Sequence, residues 1–374
     1  MRVLHVYSGN LYGGVETLLV TLARCRDLRP TMEPHFALCF EGRLSKELLA
    51  AGVPVHLLAN VRVSQPWTVW KARRRLTELL RHERFDVVIC YSAWSHAIFG
   101  PVVRSARLPL VFWLHDATDG RHWLERWARM TPPDLALCNS RFTASTLPNM
   151  YPKVRTEVMY CPVASPERRY TNADRVALRA QLNTPEDAVV IIQVSRMEAW
   201  KGHSLLLEAL GVLRDLPDWV CWQVGGAQRP HEVQYLGELK NTAARLGITK
   251  RVHFLGQRSD VPKLLAAADI HCQPNTGPEP FGITFIEALF ARLPVVTTAI
   301  GGALEIIDPS YGVLVPVDTG ALARALRRLI SDPAERARLG ANGPSRARQL
   351  CDPVMQMGRL NELFNLVVSK TGAA

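Results

Sequence analysis

Two glutamates, Glu279 and Glu287, flank a Gly/Pro-rich turn in the segment CQPNTGPEPFGITFIEALF. The turn follows an apolar run typical of a buried strand and precedes a helical pattern that begins near Gly282. The unpaired N–H groups at such a helix start attract phosphate. Glu287 would lie in the second turn of this helix, within reach of a ribose or sugar hydroxyl, whereas Glu279 would stay on the loop. The pattern favours a site for a phosphorylated sugar ligand; two solvated charges near a helix start are the alternative.

A basic pair, Arg196 and Lys201, follows a second strand-like run, AVVIIQVS. An arginine and a lysine placed after a strand can neutralise a pyrophosphate leaving group. Two unrelated surface cations are the alternative on these residues alone.

A glycine pair and a histidine follow two further strand-like runs. Gly13 and Gly14 come after RVLHVY and open the helical pattern VETLLVTLA, where glycine lets the main chain approach a phosphate closely. A dinucleotide-binding loop is the rival interpretation, but the spacing G-x-G-x-x-G is absent. His115 ends the run LVFWLH; isolated histidines are more often structural, but the position after a strand end favours a ligand contact.

These residues need a scaffold of parallel strands alternating with helices, and the sequence predicts two such α/β lobes. The strand candidates of the first lobe are RVLHVY, HFALCF, VPVHLL, DVVICY, LVFWLH and LALCNS, and those of the second are AVVIIQVS, VCWQVGG, VHFLG, DIHCQP, LPVVTT and GVLVPV. The Pro-rich segment 161–174 is the best linker. We expect domains at 1–165 and 166–352, a closing helix in 353–374, and an interdomain cleft that receives ligands at the carboxyl ends of the strands.

The motifs together resemble the family-4 glycosyltransferases of the GT-B fold. EPFGITFIE has the form E-x-F-G-x-x-x-x-E, SRMEAWKG is similar to G-R-L-x-x-x-K-G with Ser195 where glycine is usual, and Gly13 to Glu16 match G-G-x-E. Softer matches are Asn139, Ser140 and Thr143, taken as structural, and Gly301-Gly302 with Glu305. Two segments depart from the family pattern: CPVA at 161–164 and GGAQ at 225–228.

The resemblance implies a retaining, metal-independent transfer of a hexosyl group from a UDP- or GDP-sugar, without a cofactor. It assigns catalysis to Glu279, His115, Arg196 and Lys201, with Glu279 positioning the sugar and His115 bonding one of its hydroxyls. It assigns donor binding to Gly13, Gly14, Arg196, Lys201, Phe281, Gly282, Ile283, Thr284 and Glu287. The acceptor would be lipid-linked, a polysaccharide or a small molecule.

Other functions fit the residues less well. A retaining glycosidase needs carboxyl groups about 5 to 5.5 Å apart, whereas eight helical positions span about 12 Å. A nucleotide-sugar-binding protein without transfer activity would be expected to lose Glu279, Arg196 or Lys201, and an epimerase needs acid/base groups that the sequence does not evidently supply. No D-x-D or similar spacing predicts a metal site.

The acceptor side is basic and rich in tryptophan. The chain carries 45 Lys+Arg against 34 Asp+Glu, a net charge of +11, but no nucleic-acid module accompanies this charge. In WTVWKARRRLTELLRH the stripe Val69, Ala72, Leu76, Leu79 and Leu80 excludes Trp70, which falls near Arg74. We expect this helix to dock on anionic membrane through Trp70, Arg73, Arg74 and Arg75; a solvated helix is the alternative. Glu16, Tyr91, Trp94 and His96 are the predicted acceptor contacts.

Composition predicts a cytoplasmic protein, peripheral on the inner face of the membrane if the basic helix docks. No apolar stretch approaches the roughly 18 residues that a spanning helix needs, and the opening apolar run is too short for a signal peptide. The eight cysteines are scattered without a C-x-x-C pair, which predicts reduced, mostly buried thiols.

Overall fold

A computed structural model describes residues 1–166 and 168–371 and divides the chain into two compact units. The first unit holds Met1–Val163 together with the C-terminal segment from Cys351, and the second holds Ala164–Leu350. Each unit is built on its own parallel sheet.

The first unit has a seven-stranded sheet in the order β3-β2-β1-β4-β5-β6-β7. Its strands are β1 Arg2–Tyr7, β2 Glu33–Leu38, β3 Val55–Leu57, β4 Val87–Tyr91, β5 Leu110–Leu114, β6 Leu135–Cys138 and β7 Thr156–Val158. Its first helices are α1 Gly14–Arg24, α2 Arg43–Ala50, α3 Pro66–His82, α4 Ser92–Ser105, α5 Trp123–Ala128 and α6 Arg141–Thr146. Every residue of β4 and of β5 is buried, because helices cover both faces of a parallel sheet.

The second unit has a six-stranded sheet in the order β10-β9-β8-β11-β12-β13. Its strands are β8 Val189–Val194, β9 Trp219–Val224, β10 Val252–Gly256, β11 Ile270–Gln273, β12 Val295–Thr298 and β13 Gly312–Val315. The helices from here to the C-terminus are α7 Asn172–Gln181, α8 His203–Val212, α9 Pro230–Arg245, α10 Val261–Ala267, α11 Ile283–Phe290, α12 Ala303–Ile306, α13 Thr319–Ser331, α14 Pro333–Ala341, α15 Gly343–Cys351 and α16 Pro353–Thr371.

In each sheet the strand order reverses beside the first strand of the unit. The chain moves outward from β8 through β9 to β10, then returns so that β11 pairs with the other side of β8. Loops that follow two such neighbouring strands start side by side, and the crevice at this point is where open α/β sheets bind ligands. The segments that carry Lys201 and Glu279 follow β8 and β11 and therefore meet at this point.

The twelve predicted strands are all present, and the predicted α/β class with two parallel sheets is confirmed. The sequence missed β7, whose three residues TEV include only one apolar side chain. All eight cysteines are free, and seven of them are buried. Across the described residues, no helix combines the length and the hydropathy that crossing a bilayer requires.

Candidate active site

The loops after β8 and β11 touch through a glycine and a carbonyl. Gly202 has a φ of +77° and lies so close to Pro274 that a Cβ atom would collide with the Pro274 carbonyl oxygen. Thr276 N–H also donates to the Trp200 carbonyl at 2.8 Å. Glycine in the K-G pair is therefore required for the approach of the two loops, independently of any ligand.

This approach brings Lys201 against Glu279. The Lys201 Nζ atom lies 2.6 Å from Glu279 Oε2, and the two side chains are 13% and 8% exposed. Gln273 Nε2 and Asn275 Nδ2 donate to the same oxygen at 3.0 and 3.1 Å. Among the described residues, no group donates to the other carboxylate oxygen, Oε1. Three donors thus fix the orientation of Glu279 and leave one oxygen able to accept a hydroxyl from a ligand.

The main chain of Glu279 is held as firmly as its side chain. Glu279 forms an isolated parallel β-bridge with Gly301, and the Gly302 N–H donates to the Glu279 carbonyl at 2.7 Å. A Cβ atom at Gly301 would press on the Glu279 backbone, and one at Gly302 on the Pro280 carbonyl. The glycine pair that follows the E-x7-E segment therefore serves close packing against the motif loop.

Helix α11 begins where the sequence predicts. Gly282 precedes it with a φ of +97°, and a Cβ atom there would collide with the Phe285 ring. Phe281 is 2% exposed, so only its main chain can face a ligand. Ile283 and Thr284 are partly exposed in the first turn, where backbone N–H groups lack intrahelical partners. The helix start can therefore bind an anion.

Glu287 lies in the second turn of α11, as predicted. Part of the residue faces solvent, yet protein atoms crowd its carboxyl group, and this burial raises its pKa to about 7. Within the described part of the chain, no hydrogen-bond donor or cation contacts this carboxyl. It is available to accept hydroxyl groups from a ligand.

The second predicted cation, Arg196, is partly exposed and already paired. Its guanidinium lies 3.0 Å from Glu198, a partner that the sequence analysis did not consider. Ser195, which stands where the family usually has glycine, places its Oγ 3.0 Å from His203 Nε2. Burial lowers the pKa of His203 to about 4, so this ring is neutral near pH 7.

The predicted donor and acceptor residues of the first unit lie at or after the carboxyl ends of β1, β4 and β5. Gly13 and Gly14 open α1, and the Gly13 N–H donates to Glu16 Oε2 at 2.8 Å. Through this hydrogen bond Glu16 caps its own helix, and the residue is only 3% exposed. In this structure its carboxylate serves α1, not the predicted acceptor contact.

His115 follows β5 and is held in an aromatic stack. Its ring lies 5.6 Å from that of Tyr91 and 5.4 Å from that of Trp113. Burial lowers its pKa to about 3, and its Nε2 atom has no partner among the described residues. A neutral ring with one unpaired nitrogen can bond a ligand hydroxyl, so the predicted sugar contact stays a prediction consistent with this geometry.

Two of the predicted acceptor contacts are core residues. Tyr91 and His96 are both fully buried; Tyr91 Oη bonds His5 Nδ1 at 2.7 Å, and His96 Nε2 bonds the Thr131 carbonyl at 2.7 Å. Because α4 begins directly after β4, His96 lies on this helix with its side chain in the core, not on an exposed loop. Neither side chain is available to an acceptor here, whereas Trp94 is partly exposed.

The arginines of α3 do not form the free basic patch that the sequence predicts. Arg73 Nε donates to the Ile98 carbonyl and Arg75 Nη1 to the Leu58 carbonyl, both at 2.7 Å. Trp70, 63% exposed, and Arg74, whose guanidinium lies 5.7 Å from the Trp70 ring, face solvent as expected. Arg75 is exposed as well, but its bond to the Leu58 carbonyl holds the guanidinium in place. The apolar stripe through Val69, Ala72 and Leu76 is buried as predicted.

The N-S-x-x-T segment has the structural role that the sequence analysis gave it. Ser140 caps α6 by accepting from Thr143 N–H at 2.9 Å, and Thr143 Oγ1 donates to Asn139 at 2.9 Å. These three buried side chains satisfy one another and the start of α6.

One group of potential metal ligands comes together from distant parts of the chain. Ligand atoms of His35, His56 and Glu83 lie within 4.8 Å of one another at the amino ends of β2 and β3. His35 Nδ1 and His56 Nε2 are 3.2 Å apart and share a hydrogen bond, while Arg2 lies 3.0 Å from Glu83. Arg2 thus already supplies the positive charge that a metal ion would bring.

Gln273 and Asn275, which orient Glu279, were not predicted from the sequence. They occupy the last position of β11 and the second position after it, in the run QPN that precedes the motif. Polar residues at the carboxyl end of a central parallel strand were the signal that could have identified them.

Two family models match successive parts of the chain. Residues 12–165 match the family model described as Glycosyltransferase Family 4, and residues 174–346 match that of Glycosyl transferases group 1. The chain is similar to the D-inositol 3-phosphate glycosyltransferase of Salinispora tropica, with 34% identity over 50% of this chain and 40% of that protein. It therefore spans less than half the length of this curated relative.

Two other similarities extend over nearly the whole chain. The phosphatidyl-myo-inositol mannosyltransferase of Mycobacterium leprae is 27% identical over 92% of this chain and 90% of its own length. The solved structure of Anabaena Alr3699/HepE in complex with UDP and glucose has a TM-score of 0.87 and 26% identity, covering 98% of this chain and 99% of that one.

Proposed function

The chain belongs to glycosyltransferase family 4 and has the GT-B fold, and we propose that it transfers a hexosyl group with retention from a UDP- or GDP-sugar, without a metal ion. The observation that carries the proposal is the fixed Glu279 carboxylate, held by Lys201, Gln273 and Asn275 beside the start of α11. Its free oxygen and the adjacent helix start offer a hydroxyl acceptor and an anion site side by side.

The reaction follows from charge placement. Arg196, Lys201 and the N-terminus of α11 stabilise the departing diphosphate while positive charge develops on the sugar ring. Glu279 orients the sugar through Oε1, and the leaving phosphate accepts the acceptor's proton on the same face. Glu287 accepts the ribose hydroxyls. His115 bonds a sugar hydroxyl as a neutral ring.

Diphosphate binding would release both cations from protein carboxylates. Arg196 pairs with Glu198 and Lys201 with Glu279 at 3.0 and 2.6 Å. A doubly charged diphosphate competes for these cations, which would leave Glu279 more negative when the sugar is in place. We expect the pair to exchange partners on donor binding.

Replacing Glu279 by Gln tests the assignment. The variant keeps an oxygen that can accept from Gln273 and Asn275 but loses the charge, so we expect turnover to fall about 100-fold or more while nucleotide affinity changes only a few-fold. Glu198→Gln is the matched control, since it removes the carboxylate that pairs with Arg196. Equal losses of turnover and nucleotide affinity in Glu279→Gln would contradict a role in orienting the sugar.

Donor identity is tested by thermal shift with UDP, GDP, ADP and their sugars, because specific binding stabilises the native state. UDP-glucose is the first choice, since the similar Anabaena protein binds UDP and glucose. Proton NMR of the transferred sugar reports retention, and activity after EDTA treatment reports metal independence. Loss of activity in EDTA that added Mg²⁺ restores would contradict the metal-independent mechanism.

Wild-type behaviour separates the alternative functions. Tight nucleotide binding with no transfer to any acceptor would indicate a non-transferring binding protein. Conversion of the donor sugar to its C2 epimer would indicate an epimerase.

The acceptor is proposed to be lipid-linked, a polysaccharide or a small molecule, with α3 docking on anionic membrane at the inner face. Trp70 and Arg74 carry this proposal, because Arg73 and Arg75 bond main-chain carbonyls. We expect Trp70→Ala/Arg74→Gln to reduce flotation with anionic liposomes. Arg245→Gln is a matched control: Arg74 and Arg245 are 64% and 63% exposed, and each pairs with a glutamate. Equal flotation of the two variants would end the membrane proposal.

A further inference from the structure

A groove of about 610 Å³ opens in the first unit, where β2 and β3 end and α3 begins. One wall comes from Phe40 and Glu41 after β2, and another from Leu57, Ala59 and Asn60 at the end of β3. The first turns of α3 form the third wall. The groove lies at the carboxyl edge of the sheet, which is the edge where parallel sheets bind ligands. None of the residues assigned above to donor binding lines it.

The α3 wall presents an aromatic platform. Trp67 is 65% exposed although it is a large apolar side chain, and Leu57 across the groove is 43% exposed. Exposed aromatic surface beside polar groups marks a binding site more often than a random surface. The face of an indole carries partial negative charge and packs well against the C–H face of a sugar ring.

Polar groups of both kinds surround this platform. Lys71 and Arg75 follow Trp67 at one-turn intervals on α3, and Glu41 and Asn60 come from the strand ends. Arg75 Nη1 donates to the Leu58 carbonyl at 2.7 Å, which fixes its guanidinium and leaves its other N–H groups for a ligand. Within the described residues, neither Lys71 nor Glu41 has an ion-pair partner.

We propose that this groove binds an anionic saccharide, with the sugar ring on Trp67 and its phosphate or carboxylate between Lys71 and Arg75. Glu41 accepts hydrogen bonds from sugar hydroxyl groups, and the Asn60 side-chain amide both accepts and donates them. A concave site that includes a carboxylate suits a saccharide better than a flat anionic bilayer, which Glu41 would repel. The bound saccharide is the anionic part of the acceptor, an assignment that rests on the proposed function.

The test follows the indole N–H signals of the protein by NMR. The Trp67 and Trp70 signals are assigned from their disappearance in Trp67→Phe and Trp70→Phe. The probes are glucose 6-phosphate, glucuronate, glucose and inorganic phosphate. We expect glucose 6-phosphate or glucuronate to shift the Trp67 signal saturably without shifting that of Trp70. Glucose and phosphate alone should bind about tenfold more weakly, since each lacks one half of the contacts.

Charge variants complete the experiment. Lys71→Gln should weaken binding of the anionic sugar about tenfold, whereas Arg81→Gln, at an exposed residue of the same helix outside the groove, should leave it unchanged. Absence of any saturable shift of Trp67, or equal effects of the two variants, would overturn the proposal. A shift of Trp67 produced only by anionic vesicles would overturn it in favour of a membrane contact. Nucleotide thermal shifts are measured in parallel, so a failure of the proposed function is seen separately.

Discussion

Lys201 Nζ lies 2.6 Å from Glu279 Oε2, although the two residues are 78 positions apart in the chain. The contact exists because β8 and β11 are neighbours, so the loops that follow them meet. Its consequence is an ion pair with little exposure to solvent at the centre of the proposed donor site. Removing one partner of such a pair lowers stability, because the remaining buried charge is left uncompensated.

A double-mutant cycle on this pair should show strong coupling. We expect Lys201→Met and Glu279→Gln each to lower stability by about 2–4 kcal/mol, and the double variant to lose less than the sum. Calorimetry measures the effect, since it can resolve separate transitions of the two units. The control cycle on Arg196 and Glu198, whose side chains are more exposed, should give a coupling below about 1 kcal/mol. Additive effects at Lys201 and Glu279 would contradict a buried, interacting pair.

Nucleotide affinity should depend on pH through Glu287. Its pKa in the folded protein is raised to about 7, so the carboxyl becomes ionised as pH rises from 6 to 8. An ionised carboxylate accepts hydroxyl groups better, so we expect nucleotide binding to tighten over this range. Glu287→Gln should bind more weakly and lose this part of the pH dependence. Parallel pH profiles for the two proteins, measured by calorimetric titration, would contradict the ribose contact.

The same shift predicts an effect on stability. A raised pKa means that folding favours the protonated form, so the stabilisation present below the unfolded pKa of 4.5 is lost as pH rises through about 7. Relative to wild type, Glu287→Gln should therefore gain stability as pH rises from 4.5 to 7. The gain should be about 1–2 kcal/mol, because partial solvent exposure reduces the penalty.

Gly202 and Gly237 should respond oppositely to alanine. Gly202 has a positive φ and its missing Cβ leaves room for the Pro274 carbonyl, whereas a Cβ at Gly237 in α9 would meet no atom within 4 Å. We expect Gly202→Ala to abolish nucleotide binding and to lower the melting temperature. Gly237→Ala should stabilise α9 by up to about 1 kcal/mol without affecting binding. Normal nucleotide binding by Gly202→Ala would show that the two loops need not touch.

The sequence predicted best the elements that can be recognised from one continuous segment of the chain. Strands such as β4 and β5 are continuous apolar runs, and the start of α11 is marked by Gly282. Three-residue β7 gave no comparable pattern. Long apolar runs report burial on both faces, and that is the defining property of a central parallel strand.

Side-chain partners were harder to predict because they depend on which elements become neighbours. Tyr91 ends β4 and His96 lies in α4 just after it, which suggested ligand contacts, but both side chains are fully buried. Arg73 looked like a surface cation, yet it reaches the main chain of α4. Each outcome is set by contacts between separate segments, and one sequence contains no direct record of these.

Replacing His271 should stabilise the protein. This residue of β11 is fully buried against Phe285 of α11, and neither of its ring nitrogens has a partner in the described part of the chain. Unpaired buried polar atoms cost about 1–3 kcal/mol, so we expect His271→Leu to raise the melting temperature. His96→Leu is the matched control: His96 is equally buried but bonds the Thr131 carbonyl at 2.7 Å, so its loss should destabilise.

The benefit of His271→Leu should grow at acidic pH. Burial lowers the pKa of His271 to about 3, so folding excludes the proton that the unfolded chain binds below pH 6.5. Wild type therefore loses stability as pH falls from 6.5 towards 3, by up to about 1.4 kcal/mol per pH unit for this one group. Thermal unfolding of both proteins at pH 7.5, 6 and 5 measures the difference. If the difference in melting temperature between the two proteins stays constant with pH, the His271 ring is protonated or paired in the native state. If His271→Leu has the lower melting temperature at every pH, the imidazole packs better than an alkyl group.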